Sequence, residues 1–287
     1  MINYPLDYAY PSEVTIETSG VCNARCVFCP HDTLPRKSAK MSDELFRKIV
    51  AELKTMPPRH TFRISPFKVN EMLVDKTIWD KLAYINEQLP NAFIRFFSNL
   101  NSATETDIDN IFKIKRLHDI NISLNSLDST EYRELMGLDL DRTVQNISAL
   151  LARVKENGLD MFADKLVFSR VSVDDASDRK YLADFDRVFG EYREIAEPFV
   201  LVRGEWIDHN PTDSPLNQDN ICVRYNELNI CCDGVLAFCC MDGKAAYPHG
   251  NANNDNIIEI YNSEKYRKLR SGDLLKRDIE PCKFCSL

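Results

Sequence analysis

Ser19-Gly20-Val21-Cys22-Asn23-Ala24-Arg25-Cys26-Val27-Phe28-Cys29-Pro30 holds three cysteines within eight residues, directly after a stretch, Glu13 to Thr18, that alternates like a strand. In that stretch Val14 and Ile16 fall on one face and Glu13, Thr15 and Glu17 on the other, the two-residue period of a half-buried strand. Thiolates are soft ligands suited to iron–sulfur clusters or zinc, and a spacing of three then two residues lets one short loop wrap a single metal centre. The number of thiols is the informative feature. A four-iron cubane held by three cysteines keeps one iron without a protein ligand, open to a small molecule. The alternative is a structural zinc ion, with His31 completing a Cys3His set.

Working outward from the loop, the chain repeats one grammar. Ser42 reads as an N-cap with Asp43 and Glu44 in the first turn, and Leu45, Ile49, Leu53 and Met56 follow at helical spacing until Pro57-Pro58. Strand Thr61 to Ser65 leads to a helix around Ile78, Leu82 and Ile85. Strand Phe93 to Ser98 leads to a helix capped near Thr104 with Ile108, Ile111 and Phe112. Strand Asp119 to Leu124 leads to a helix with Val144, Ile147, Leu151 and Val154 that ends at Gly158. Strand Leu166 to Val173 and helix Ser177 to Phe189 precede a last strand, Pro198 to Arg203. Alternating strands and helices imply parallel strands joined by right-handed crossovers. Six units are too few for a closed eight-fold barrel, so the expected fold is α/β, a partial (β/α)6 TIM-like barrel. Ligands in such barrels sit at the C-terminal ends of the strands, where the cysteine loop falls.

Composition narrows the function. With 287 residues and 44% hydrophobic content, the chain can bury one large core plus a small appendix. A formal charge of −8 with no basic run argues against a nucleic-acid partner. No stretch approaches the roughly twenty apolar residues of a membrane span, and the start lacks the pattern of a signal peptide, so no membrane partner and a cytoplasmic location are expected. Ten cysteines in that compartment point to metal rather than disulfides. They fall in two groups, Cys22 to Cys29 and from Cys222 onward, with none between.

The CxxxCxxC loop, with the aromatic Phe28 just before its last cysteine, resembles the signature of the radical S-adenosylmethionine (radical SAM) superfamily. The resemblance implies that Cys22, Cys26 and Cys29 hold a 4Fe-4S cluster whose open iron is chelated by SAM. It further implies that one electron cleaves SAM to methionine and a 5′-deoxyadenosyl radical, which takes a hydrogen atom from substrate. Glu71 and Asp75, after strand two, fit the family's turn toward the methionine amino group, although Val69-Asn70 stand where that turn usually carries glycines. By the same resemblance Phe28, Asn70, Glu71, Ser98, Asn99, Ser123 and Asn125 are expected at SAM. Arg170 and Arg203 are expected to face the barrel lumen, where an arginine grips a carboxylate bidentately; a core ion pair with Glu17 or Glu205 accounts for either equally well. Glu17, Arg203 and Cys240 are the catalytic candidates, and His31, His209, Glu17 and Glu205 the candidate bases.

Beyond Gly204 the chain is polar and irregular, a linker or lid. Cys222, Gly234 and Cys239 then lie within two apolar runs that suggest a hairpin turning at Asp233-Gly234. A helix with Ile257, Ile260, Tyr261, Tyr266 and Leu269 follows, and then Cys282-Lys283-Phe284-Cys285. This arrangement is similar to the twitch form of the SPASM extension, a small hairpin-and-helix iron–sulfur domain. It implies an auxiliary 4Fe-4S cluster on Cys222, Cys239, Cys282 and Cys285, with a four-cysteine zinc knuckle as the structural alternative. The expected division is 10–205 for the barrel, 206–221 for the linker or lid and 222–287 for the auxiliary-cluster domain. Cys231, Cys232 and Cys240 are surplus; core packing is the default for such residues, a hydrogen-atom donor the sharper reading.

The resemblance extends to the 2-deoxy-scyllo-inosamine dehydrogenase type of enzyme. It implies two-electron oxidation of a carbohydrate or cyclitol alcohol, with the auxiliary cluster taking the second electron and flavodoxin or ferredoxin as reductant. A sugar epimerase using a cysteine donor is the nearest alternative. A peptide-modifying enzyme is another, although no leader-binding domain is expected before a barrel that starts near residue 10. A non-catalytic zinc-binding interaction protein is the alternative of a different class.

Overall fold

Short polar side chains and glycines set the helix ends. In a computed structural model that describes residues 9–161, 163–201, 206, 207, 219 and 221–285, strand β1 (Glu13–Ile16) leads through the cysteine loop to helix α1 (Asp43–Leu53). The Ser42 hydroxyl accepts from the Leu45 amide, satisfying one of the donors a helix start leaves open. The pattern repeats through β2 (Phe62–Ser65), α2 (Ile78–Gln88), β3 (Ala92–Ser98) and α3 (Glu105–Ile111), the last opened by a reciprocal Thr104–Asp107 capping box. β4 (Leu117–Ser123) is followed by two helices, α4 (Ser129–Met136) and α5 (Leu140–Asn157), where the sequence suggested one. Asp128 caps α4, left-handed Gly137 ends it, and Asp139 opens α5. β5 (Leu166–Val171), α6 (Asp175–Phe189) and β6 (Ala196–Leu201) complete the six strands.

All six strands run parallel, in the order β6-β5-β4-β3-β2-β1. Val14, Ile16, Phe62, Ile64, Ile94, Phe96, Ile120, Ile122 and Phe168 are fully buried against the apolar faces of the helices, among them Ile49, Leu82, Ile85, Ile147, Leu151 and Phe185. Burying a side chain of this size contributes about 1.5–3 kcal/mol. The fold is therefore a partial (β/α)6 barrel whose outer strand face makes the core and whose inner face is left for polar groups.

The C-terminal region continues this sheet. β7 (Glu227–Ile230) pairs parallel with β1, Glu13 opposite Glu227 and Ile16 opposite Ile230. β8 (Val235–Ala237) and β9 (Gly250–Asn251) follow antiparallel, giving one nine-stranded sheet. The hairpin turns at Asp233-Gly234 with Gly234 at φ 90°. The helix expected from Ile257 to Leu269 is two, α7 (Ile257–Tyr261) and α8 (Glu264–Ser271), because Asn262-Ser263 end one and start the next. Most of the expected linker lies outside the described residues.

A buried ion pair fastens the two regions together. Arg36 Nε donates to Glu17 Oε2 at 2.6 Å, and its Nη2 donates to the Gly243 carbonyl at 2.6 Å. The same carboxylate accepts from the amides of Val69 and Cys232. Gly20 is needed here because a Cβ would stand 2.1 Å from the Arg36 carbonyl oxygen. No helix among the described residues is long and apolar enough to cross a membrane.

Candidate active site and a second cysteine centre

A cavity of about 710 Å³ runs along the inner face of the strands, from Glu13 at the start of β1 to the loops beyond their C-terminal ends. Cys22, Cys26, Cys29, Phe28 and His31 stand on its wall, brought there because the loop follows β1 directly. The loop is held by the main chain: the amides of Arg25 and Val27 donate to the carbonyls of Met136 and Leu135, and the Cys29 amide to the Cys26 carbonyl. All ten cysteines are free thiols. Burial pushes Cys22 up to about 12 and Cys29 up to about 11, and it raises Cys26, whose thiolate is further opposed by those of Cys29 and Cys22. Three desolvated thiolates side by side are stable only with a compensating cation, so the donor set fits a metal centre. His31 Nε2 donates to the Gly20 carbonyl, 2.8 Å away.

The wall beside the loop is polar and preorganised. Glu71 is buried, which raises its carboxyl, and it is fully engaged. Its Oε1 accepts from Ser98 Oγ at 2.7 Å and the Leu73 amide at 3.1 Å, and its Oε2 accepts from the Asn99 amide at 2.8 Å. The Glu71 amide donates to the Val21 carbonyl, and Asn99 Nδ2 to Asn23 Oδ1, so this wall and the cysteine loop are one unit. The turn that lacks glycines closes without a left-handed residue at Asn70: the Asn70 side-chain oxygen accepts from the Lys68 amide, and its buried Nδ2 has no hydrogen-bond partner among the described residues. Ser123 and Asn125 line the same cavity, Asn125 Oδ1 accepting from the Val171 amide.

Two expectations are corrected. Arg170 does not face the lumen: it shares a strand face with core residues Leu166 and Phe168, while Val167, Ser169 and Val171 line the cavity. Its guanidinium is fully buried, donating to Asp178 and Glu131 at 2.8 and 2.9 Å and to the Asn125 carbonyl. Glu17 does not line the cavity either. β1 ends at Ile16, so strand parity does not extend to Glu17, whose oxygens are taken by Arg36, Val69 and Cys232. Asp75 pairs with Lys81 away from the cavity. Arg203, Glu205 and His209 lie outside the described residues.

Lining residues that the sequence reading passed over are Glu13, Lys68, Arg95, Asp119, Ser169, Arg224 and Glu227, while Asn121 faces the cavity as the alternation of its strand implies. Glu13, Arg95 and Asp119 are signalled by their place on strands at luminal parity; Arg224 and Glu227 are not, since they reach the cavity only through the pairing of β7 with β1. Glu227 is buried, and burial raises its carboxyl; Oε1 accepts from Arg224 at 2.6 Å, Oε2 has no N–H or O–H donor among the described residues, and the Cys240 thiol hydrogen-bonds to the carboxylate. Cys240 lines this cavity beside it. Cys231 and Cys232 are buried and line neither cavity described here.

A second, enclosed cavity of about 10 Å³ is lined by Cys222, Cys239, Cys282 and Cys285. Tyr225 Oη donates to Cys282 Sγ at 3.3 Å, and the Cys285 amide to the Cys282 carbonyl at 3.0 Å. Burial raises Cys222 and Cys239 and pushes Cys282 up to about 11. Four thiols around one small space match the ligand count of a fully coordinated iron–sulfur cluster.

The radical SAM superfamily profile matches residues 16–169, and an iron–sulfur cluster-binding domain profile, SPASM, matches residues 222–286. No curated protein matches the chain. Among solved structures, BtrN in complex with AdoMet and 2-DOIA superposes with a TM-score of 0.63 at 16% identity, over 96% of this chain and 93% of BtrN. Streptococcus suis SuiB bound to S-adenosylmethionine gives 0.58 at 17% identity, over 92% of this chain and 68% of SuiB. Native anSMEcpe with bound AdoMet gives 0.67 at 12% identity, over 95% and 85%. The N-terminal match brings SAM and a 4Fe-4S cluster as cofactors, and the C-terminal match further iron–sulfur. Matched by the family profile over more than half its length, on a partial barrel with its cysteine loop at the strand ends, the chain belongs to the radical SAM superfamily.

Proposed function

We propose that the chain is a radical SAM oxidoreductase that removes two electrons from an alcohol carbon of a small polyhydroxylated or aminated substrate, a sugar or cyclitol. The observation that carries this reading is the pairing of an open three-thiol loop, on a large cavity whose mixed lining includes charged and amide side chains, with a separate four-thiol centre. When bound, the two clusters and SAM supply one-electron chemistry: removal of a hydrogen atom at the cavity, and acceptance of the remaining electron at the four-cysteine centre. In this reading Cys22, Cys26 and Cys29 hold the SAM-binding cluster, and Cys222, Cys239, Cys282 and Cys285 the auxiliary one. A centre with all its thiolates in place suits an electron acceptor better than a substrate ligand. Flavodoxin or ferredoxin supplies the starting electron.

The chain's own groups do the rest. Glu71, fixed by Ser98 and Asn99, and the free Asn70 amide nitrogen orient the cofactor's polar end; Phe28, Ser123 and Asn125 complete its surroundings. The strand floor is a preorganised polar network, Arg95 bridging Glu13 and Asp119 and Ser169 donating to Asn121, whose remaining donors and acceptors suit hydroxyl or amino groups. Glu227 Oε2, which has no N–H or O–H donor among the described residues, accepts the substrate hydroxyl proton; a raised carboxyl is the stronger base. BtrN, solved with 2-DOIA, is similar in fold over nearly its whole length, which supports a small polar substrate.

One observation favours a second reading, epimerisation: of the surplus thiols, Cys240 lies on the cavity wall, where it can return a hydrogen atom. The test is anaerobic reconstitution followed by turnover of a panel of aminocyclitols, sugars and peptides in D2O. About eight iron atoms per chain and a ketone product are expected. In Cys282→Ala, iron falls to about four, 5′-deoxyadenosine still forms and the ketone is lost. Solvent deuterium on the substrate carbon would instead establish the epimerase, and modified peptide would overturn both.

A further inference from the structure

Lys68 is a buried cation, 3% exposed, in the loop between β2 and Glu71. Three other buried cations of the chain meet carboxylates: Arg36 meets Glu17, Arg170 meets Glu131 and Asp178, and Lys81 meets Asp75, whereas Arg270 donates to the Tyr261 carbonyl and Lys276 lines the four-thiol cavity itself. Lys68 meets no carboxylate among the described residues. Its Nζ donates instead to two main-chain carbonyls, Cys239 at 3.1 Å and Cys240 at 3.4 Å. Two neutral carbonyls do not repay the desolvation of an ammonium ion. A compensating negative charge belongs next to it, and the four-thiol centre is where one would form: four thiolates around a doubly positive cluster leave a net double negative charge, triple after one-electron reduction. Lys68 lies against one ligand's own carbonyl, and its charge favours the thiolate forms of Cys239 and Cys240.

We propose that Lys68 is a positioning residue that sets the reduction potential of the auxiliary cluster, holding it high enough to accept an electron from the cavity. The inference rests on the four-cysteine assignment made above. A fixed positive charge stabilises the more negative, reduced state of the couple, so it raises the potential; net charge and hydrogen bonding are the levers by which a protein tunes such clusters. The same loop reaches the other centre: the Lys68 amide donates to Asn70 Oδ1, and Glu71 follows one residue later. A single four-residue segment therefore connects the SAM wall to the acceptor, and Lys68 itself lines the large cavity between them.

The test uses the full chain carrying Cys22→Ala, Cys26→Ala and Cys29→Ala, reconstituted with iron and sulfide so that only the four-cysteine centre is loaded. Its one-electron reduction by titanium(III) citrate is followed by electron paramagnetic resonance against potential. Lys68→Met and Lys68→Gln, the latter keeping a hydrogen-bond donor without the charge, are each expected to lower the reduction equilibrium constant about tenfold, a shift of about 59 mV to more negative potential for one electron. Lys68→Arg restores the original potential. An unchanged potential in an iron-replete Lys68→Gln protein overturns the proposal, as does a shift that Lys68→Arg fails to reverse. Where Lys68→Met does not retain its cluster, Lys68→Gln decides. Absence of iron from the parent triple variant would overturn the four-cysteine assignment itself, a result distinct from an unshifted potential in loaded protein.

Discussion

The two cysteine groups are built in opposite ways. The first is local: three thiols in eight consecutive residues, opening on a cavity of about 710 Å³. The second is assembled from distant places, Cys222, Cys239 and the Cys282–Cys285 turn, around a space of about 10 Å³ closed by Tyr225, Phe238 and Met241. An incomplete ligand set on a contiguous loop leaves room for a cofactor to complete it. A full set gathered from several elements leaves none. The contrast is one of access, and it predicts different responses to damage.

The largest expected effect breaks the open centre: Cys29→Ala reduces 5′-deoxyadenosine formation to background while about four iron atoms per chain remain on the other group. Loss of all iron in that variant would show that the two centres do not assemble independently. Next is the fastening between them. Arg36→Met leaves the Glu17 carboxylate buried and uncompensated, and is expected to cost about 3–5 kcal/mol of stability, read as a lowered urea midpoint. A smaller effect sharpens the role of the open wall. Glu71→Gln keeps the shape but replaces an acceptor of three hydrogen bonds with a group that must donate from one side, so SAM affinity should fall about tenfold by equilibrium dialysis, consistent with about 1.4 kcal/mol.

The smallest effect is confined to the closed side. His249 packs between Phe238 and Tyr266, ring centroids 4.8 and 4.1 Å away, and burial pulls its imidazole down to about 4. The unfolded chain therefore binds a proton near pH 6.5 that the folded one refuses until about 4, so this contribution to stability is present above 6.5 and is lost as pH falls through that window. Between pH 7 and pH 4.5, wild type should lose about 1–2 kcal/mol more than His249→Phe, measured by thermal unfolding of the metal-free chain.

Much of this was legible from local pattern. The strand-and-helix alternation, the caps at Ser42 and Thr104 and the stop at Gly158 are short-range signals, and each gave its element. What failed was parity used beyond its warrant. Glu17 lies one residue past the end of β1, and Arg170 follows the face of Leu166 and Phe168, buried because Glu131 and Asp178 wait on α4 and α6 to meet it. Those partners are visible only once the helices are packed. Glu227 and Arg224 were missed for a related reason: nothing near them in sequence says that their strand joins the barrel.

That union of β1 and β7 also governs how the molecule is made. Ser12 and Asn226, hydrogen-bonded at the start of the pair, are 214 residues apart. Contacts of such separation are the slow ones to form, and until β7 arrives β1 presents a strand edge with its main-chain groups unpaired, the kind that recruits other chains. A product cut before β7 would keep the entire cysteine loop yet expose that edge, and should precipitate rather than persist as a one-cluster enzyme.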